Sequence, residues 1–410
     1  METYAFIHFG LNTFNDMEWG YGDTPAATFN PTDLDCEQWV LTLRACGMKG
    51  VILTAKHHDG FCLWPTATTD YSIKASPYKD DHGDIVGELC EACRKHGLKF
   101  GVYLSPWDRH QASYGSDDYV TLYHQQIKEL VEHYGPFFEF WFDGANGGNG
   151  WYGGANETRS IKAEHYYQYE KARDLIWDRY PNTMIFGGTV PTLRWIGNEE
   201  GCANSTQWST YTLDYSDLNN LELLPTGIPE GDHWLPAEVD VSLRPGWFYH
   251  DNEQPKSVEQ LLNIYDHSVG RNANLLLNVP VAPSGRISPA DSLRLMEWHR
   301  CLENLFSNDV LNSLKPIRAN AQEQVYRFDQ PVTLSCVVLQ EDIAQGQRVE
   351  QFAISYYSNG QWQPVETDEA MTTIGYKRII RFKPTEMERL KIEIIKAKGP
   401  APLKTVSAYK

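Results

Sequence analysis

Phe137-Phe138-Glu139-Phe140-Trp141-Phe142-Asp143-Gly144 reads as a short, strongly apolar strand that stops at an acid and a glycine. The same punctuation recurs along the first three hundred residues. The apolar run at 5–9 carries His8 and leads to Asn12; 50–54 leads to Lys56-His57-His58-Asp59-Gly60; 99–104 ends in Tyr103-Leu104-Ser105-Pro106-Trp107-Asp108. Runs at 183–186, 233–239 and 274–279 continue the series, the fifth leading to Arg194-Trp195-Ile196-Gly197-Asn198-Glu199, the sixth carrying Glu238 and Asp240. Between them lie helix-like segments at 33–46, 85–96, 118–133, 164–179 and 258–269, with a last one at 289–306. Strand and helix in alternation imply a parallel sheet, open or closed. An open sheet gathers its polar residues at one switch point, a barrel gathers them after every strand. Here they follow almost every strand, and no G-x-G-x-x-G follows one. The expected fold is α/β, a TIM-like (β/α) barrel.

From about residue 308 the period changes to two, at 325–328, 332–340, 351–358, 360–365, 378–382 and 390–397, with Ser358-Asn359-Gly360 as the clearest hairpin turn. The expected division is a catalytic barrel over 1–307 and an antiparallel β-sandwich over 308–410. The sandwich is expected to brace the barrel rather than bind sugar.

Composition narrows the function. With 36 Lys+Arg against 54 Asp+Glu the net charge is −18, which speaks against nucleic acid as a partner. No run is long and apolar enough for a membrane helix. No signal peptide is present, and the chain opens almost directly on a strand, so it is expected to be cropped from a longer precursor. Thirteen Trp and 23 Tyr offer flat faces suited to sugar rings. Cys90 and Cys93 fall on a helix-like stretch with no second pair, so buried thiols are expected rather than zinc.

Asp143, at the C-terminal end of its strand beside Trp141 and Gly144, stands where barrel enzymes keep catalytic carboxylates. Glycoside cleavage needs a second, and Glu199, Glu200, Glu238, Asp240 and Glu18 are the candidates. Glu199 lies beside Arg194 and Trp195, and a loop carboxyl near apolar rings can stay protonated for acid work. His57 and His58 can both line the barrel only if their strand has ended before them. A metal site with His8 as third ligand lacks the H-x-H or H-E-x-x-H spacing, so these histidines are read as donors to hydroxyls and no metal or cofactor is expected.

In order, His8-Phe9-Gly10, Glu18-Trp19-Gly20, Lys56-His57-His58-Asp59-Gly60-Phe61, Trp107-Asp108 and Trp141-Phe142-Asp143-Gly144 resemble the α-L-fucosidases of glycoside hydrolase family 29. The segments 194–199 and 238–250 look like the subgroup acting on branched α-1,3/4-linked fucose. The resemblance implies that Asp143 is the nucleophile of a retaining mechanism and Glu199 the acid/base, with Glu200 one residue away. It implies a fucose pocket of His8, Glu18, Trp19, His57, His58, Tyr103, Trp141 and Arg194, with Trp195 beside Glu199. Glu238, Asp240 and Trp247 would lie toward the neighbouring sugar. The implied partners are fucosylated oligosaccharides or glycoprotein glycans, met outside the cytoplasm, in a bacterial periplasm or after secretion. A fucosidase of relaxed linkage, a non-catalytic sugar-binding barrel and a metal-dependent hydrolase are the rival readings.

Overall fold

The computed structural model describes every residue of the chain except 321. Eight parallel strands, β1 (Thr3–Ile7), β2 (Gly50–Lys56), β3 (Lys99–Leu104), β4 (Glu139–Trp141), β5 (Met184–Phe186), β6 (Arg194–Trp195), β7 (Ala237–Ser242) and β8 (Ala273–Asn278), form one sheet in the order β5-β4-β3-β2-β1-β8-β7-β6. Its ends meet through a single parallel bridge between Phe186 and Leu193, which closes the barrel. Helices α1 (Cys36–Ala45), α2 (Ile85–His96), α3 (Asp117–Tyr134), α4 (Tyr169–Trp177), α5 (Val258–His267) and α6 (Pro289–Leu305) are the principal outer helices. Their starts are legible: Asp35, Asp84, Ser257 and Ser288 each accept from a backbone N–H of the first turn.

The two-residue period of each strand sorts its side chains between two cores. Ala5, Ile7, Val51, Leu53, Val102, Leu104, Val239 and Val241 pack outward against the helices. Tyr4, Phe6, Ile52, Tyr103, Trp141, Phe186 and Leu276 fill the barrel interior. Cys90 and Cys93 are buried free thiols on α2, as expected.

Three sequence expectations are corrected. The strand expected at 233–239 is two things: His233–Trp234 pairs antiparallel with Thr210–Tyr211, and the barrel strand runs on to Ser242. Pro236 separates them, lacking the N–H that would continue the ladder. Arg194–Trp195, expected as loop, is the barrel strand β6, too short to show a period. The helix expected over 164–179 breaks at Gln168, whose φ is 52°.

Beyond α6, five longer strands, β9 (Glu323–Glu341), β10 (Val349–Ser358), β11 (Gln361–Pro364), β12 (Arg378–Ala397) and β13 (Leu403–Tyr409), and the short pair Arg318–Ala319 build one antiparallel sheet. β9 and β12 run its full length with register shifts, so its halves share a core that takes Leu334, Val337 and Ile380 from one and Phe352, Ile354 and Ile392 from the other. The layering expected of a sandwich thus comes from two long strands common to both halves. Asn359 and Gly360 both take positive φ, 50° and 78°, in the turn joining β10 to β11. The sheet grips the barrel through Arg381 on Asp266, Arg271 on Glu369, and Arg378 donating to the Gly270 carbonyl.

Candidate active site

At the C-terminal mouth of the barrel a cavity encloses about 460 Å³ of empty space, its open mouth included. Its lining brings together eleven of the residues picked from sequence: His8, Glu18, Trp19, His57, His58, Tyr103, Trp141, Asp143, Glu199, Asp240 and Trp247. Phe6 completes the wall, an apolar filler that nothing in its residue type marks as part of a site.

Asp143 stands two residues past the end of β4. The Tyr103 hydroxyl donates to its Oδ2 at 2.9 Å and the Ala145 N–H to its Oδ1 at 2.7 Å, so both oxygens are fixed. His58 Nε2 stands 3.7 Å from Oδ2. Trp141 lies between Tyr103 and Phe186, stacked on the latter at 4.0 Å and 7°.

The three histidines are buried and neutral: burial lowers His8 to about 3, takes His57 well below its usual value, and lowers His58 against the opposing pull of Asp143. Two asparagines and a serine set their tautomers. Asn12 Oδ1 accepts from the Gly20 N–H, which turns its amide nitrogen toward His57 Nδ1 at 3.3 Å and leaves the His57 proton on Nε2. Asn278 donates through its amide nitrogen to Ser242 and to the Trp247 carbonyl, so its oxygen accepts from His8 Nδ1 at 2.9 Å. Ser105 donates to the Trp107 carbonyl and accepts from His58 Nδ1. His57 is thus an Nε2 donor, while His8 and His58 offer Nε2 lone pairs, a mixed set matched to sugar hydroxyls. Both adjacent histidines line the cavity because β2 has ended at Lys56.

Glu18 accepts from the N–H groups of Trp247 and Phe248 and pairs with His250 at 2.7 Å, tying β1 and β7 loops together. Arg109, absent from the sequence reading, donates to the Trp19 and Gly20 carbonyls at 2.9 and 2.7 Å and so holds the Trp19 loop over the cavity. Trp19 remains 55% exposed there, an uncovered ring at the rim.

Glu199 lies at the mouth with Trp247 Nε1 donating to its Oε2 at 3.1 Å. Removal from water on its inner side raises its pKa, the charges of Asp143 and Glu18 add to the rise, and the Trp247 bond opposes it. Glu200 points elsewhere and lines neither this cavity nor the groove beside it.

Three expected pocket residues are not brought to the cavity: Arg194 and Trp195 border the adjoining groove instead, and Glu238 lies beneath. Arg194 alternates with Trp195 on β6, so the ring faces inward and the guanidinium outward, where it donates to the carbonyls of Leu224, Leu235 and Trp208. Burial lowers it to about 10. Glu238 is fully buried below the cavity floor, accepting from Tyr4 and from Trp141 Nε1. Trp195 lines the adjoining groove and donates to Asp240 Oδ1 at 2.8 Å. Among the described residues no group of three or more His, Cys, Asp or Glu is arranged to hold a metal ion.

With this geometry in hand, the comparisons decide the family. The α-L-fucosidase family model matches residues 2–304. The chain belongs to the α-L-fucosidase family. Alpha-L-fucosidase 1 of Arabidopsis thaliana is 38% identical over 432 aligned residues, covering 96% of this chain and 82% of its own. A glycoside hydrolase 29 family member from an unknown rumen bacterium superposes with a TM-score of 0.97 at 44% identity, over 100% of this chain and 75% of that one. A Ruminococcus gnavus glycoside hydrolase 29 fucosidase solved with fucose gives 0.88 at 31%, over 100% and 92%. Fold and enzyme class therefore agree: this α-L-fucosidase is a glycoside hydrolase built on a (β/α) barrel. Among the described residues no helix is long and apolar enough to cross a membrane.

Proposed function

We propose that this α-L-fucosidase is a retaining exo-enzyme that removes terminal α-1,3/4-linked L-fucose from branched, Lewis-type glycans. The observation that carries the reading is one small cavity in which two of the four lining carboxyl groups, Asp143 and Glu199, stand in unlike surroundings. Asp143 is held by two donors beside a neutral histidine, and Glu199 is raised toward its protonated form. Asp143 attacks the anomeric carbon as the glycosidic C–O bond breaks, and Glu199 passes its proton to the departing sugar oxygen. Water then attacks the same carbon as the bond from Asp143 to that carbon breaks, its proton goes to Glu199, and fucose leaves with Asp143 restored as a free carboxylate. His8, His57 and His58 bond the fucose hydroxyls more strongly as the ring flattens. Trp19 covers one side of the sugar.

The branched linkage rests on the likeness of segments 194–199 and 238–250 to that subgroup and on the groove that leaves the cavity past Trp195. Residues 1–307 form the catalytic unit and 308–410 the brace. In that brace, Arg389 lies over the Tyr357 ring at 4.8 Å and Lys391 over Trp362 at 5.4 Å, so each ring has a cation on one face. The substrates place the enzyme outside the cytoplasm.

The test is fucose release from a branched Lewis-type trisaccharide beside linear 2′-fucosyllactose, with the first-formed anomer read by proton NMR. The α-anomer from the branched sugar, at a clear excess over the linear one, is expected. Equal or reversed rates would refute the linkage, and the β-anomer would refute retention.

A further inference from the structure

Beside the cavity runs a groove of about 1150 Å³ of empty space that shares Asp143, Glu199 and Asp240 with it. Its outer wall is Leu218, Asn219 and Leu224, carried by the excursion between β6 and β7. That excursion has a core of its own, Tyr211, Leu224 and Leu235, with Trp195 and Leu218 packed on it. Its spine is 207–211: Trp208 N–H donates to the Thr226 carbonyl, the Thr210 hydroxyl to Ile228, and the Tyr211 hydroxyl to Asp217.

The spine is held from two sides. From the barrel, Arg194 reaches the Trp208 and Leu224 carbonyls at 2.9 and 3.1 Å. From the C-terminal sheet, Gln347 acts as a stand-in for a neighbouring strand. Its Oε1 accepts from the Ser209 N–H and its Nε2 donates to the Gln207 carbonyl, both at 2.8 Å. The Thr373 hydroxyl accepts from the Gln207 N–H at 2.8 Å, and Lys398 sits over the Trp208 ring at 4.6 Å. Gln347 and Thr373 are buried, 5% and 2% exposed, and Gln347 Oε1 also accepts from Asn272 at 3.3 Å. An interior amide that meets both hydrogen bonds of one backbone residue pair is costly to bury unless that pair must be held.

We propose that Gln347 is a positioning residue for the leaving-group side of the site: through Gln207–Ser209 the C-terminal sheet sets the groove wall against which the sugars beyond the scissile bond are bound. The inference rests on the reading of the cavity as the fucose site. It gives the C-terminal sheet a part in substrate choice without contact to substrate.

The test compares Gln347→Ala with wild type on the branched trisaccharide and on 4-nitrophenyl α-L-fucoside, whose flat leaving group needs little of the wall. We expect kcat/KM on the trisaccharide to fall about tenfold through KM and the aryl fucoside to stay within about twofold. Thr373→Val, close in volume, serves if Gln347→Ala does not fold, with the same pattern expected at smaller size. An equal loss on both substrates, or no change on either in a folded variant, would overturn the proposal as a purely structural role. Wild-type enzyme silent on both would instead overturn the reading of the cavity, and this inference with it.

Discussion

Trp247→Phe isolates the one hydrogen bond that holds the raised pKa of Glu199 in check. The indole N–H donates to Oε2 at 3.1 Å, and phenylalanine keeps an apolar ring while removing the donor. A hydrogen bond to a buried charge stabilises it by about 1.5–3 kcal/mol. Glu199 is exposed on its outer side, which roughly halves the effect to about 0.7–1.5 kcal/mol. At 1.36 kcal/mol per unit this corresponds to about half to one pH unit. The bond favours the charged form, so its loss moves the pKa of Glu199 further up, and the acid form persists to higher pH. Glu18→Gln works in reverse: it removes one of the charges that raise Glu199, so the pKa comes down. The assay is kcat/KM for an aryl fucoside across pH, whose basic limb reports the free enzyme's essential acid. The limb should shift up in Trp247→Phe and down in Glu18→Gln. A basic limb fixed in both variants, or displaced the same way by both, would refute Glu199 as the group that donates the proton.

Arg194→Met removes three hydrogen bonds from a guanidinium that has no carboxylate within ion-pair distance among the described residues. Relief from burying that charge offsets part of the loss, leaving an expected destabilisation of about 2–4 kcal/mol by urea unfolding, with the pH profile unmoved. An unchanged stability with lost fucose affinity would return Arg194 to the pocket. Glu139→Gln addresses the buried pair Glu139–Glu238, which burial holds above the ordinary carboxylate range of about 4.5. Raised acids contribute stability below that value and lose it as pH rises, so the variant should melt higher than wild type at pH 7 and match it near pH 4.5. Coincident melting curves at every pH would refute the raised pair. Excess chelator should leave fucose release unchanged, and an activity lost to chelator and restored by a divalent ion would reopen the metal reading.

Most of the barrel was legible because each strand announces its end chemically, as Lys56-His57-His58 and Asp143-Gly144 do. The parts that were not legible share a cause. Arg194–Trp195 is two residues long, and a period of two cannot be read from one step. Yet that single step decides which of the two side chains faces the cavity, and a charged residue next to an acid/base candidate invites the wrong choice. The same alternation places Glu238 and Asp240 on the inner face, but only depth along the strand separates them: Glu238 is under the floor and Asp240 is in the wall. Depth follows from barrel stagger, which no local stretch encodes. Phe6, Asn12 and Asn278 were missed for a different reason. They act on the site by filling or orienting, and nothing in their residue type marks that use. Arg109 and Gln347 act at longer range, through carbonyls of segments far away in sequence.

The inner row Glu139, Glu238 and Asp240 has a bearing on Glu199 that no single residue shows. These three carboxyl groups lie within the barrel at 0–3% exposure, and the donors that reach the two on β7 are neutral: Tyr4, Trp141 and Trp195. Burial raises all three above the ordinary carboxylate range; the charge of Glu238 adds to the rise of Glu139, and Asp240 is raised foremost by burial and next by Glu199. Had an arginine been placed beneath the cavity floor, it would have neutralised the row but also pulled Glu199 down, away from the proton it must give. Arg194 is the arginine nearest to Glu199 in sequence, and strand alternation turns it outward to carbonyls instead. The barrel thus supplies polar contacts to its floor while keeping positive charge off the acid, and the outward Arg194 is as much a part of that arrangement as the inward Asp240.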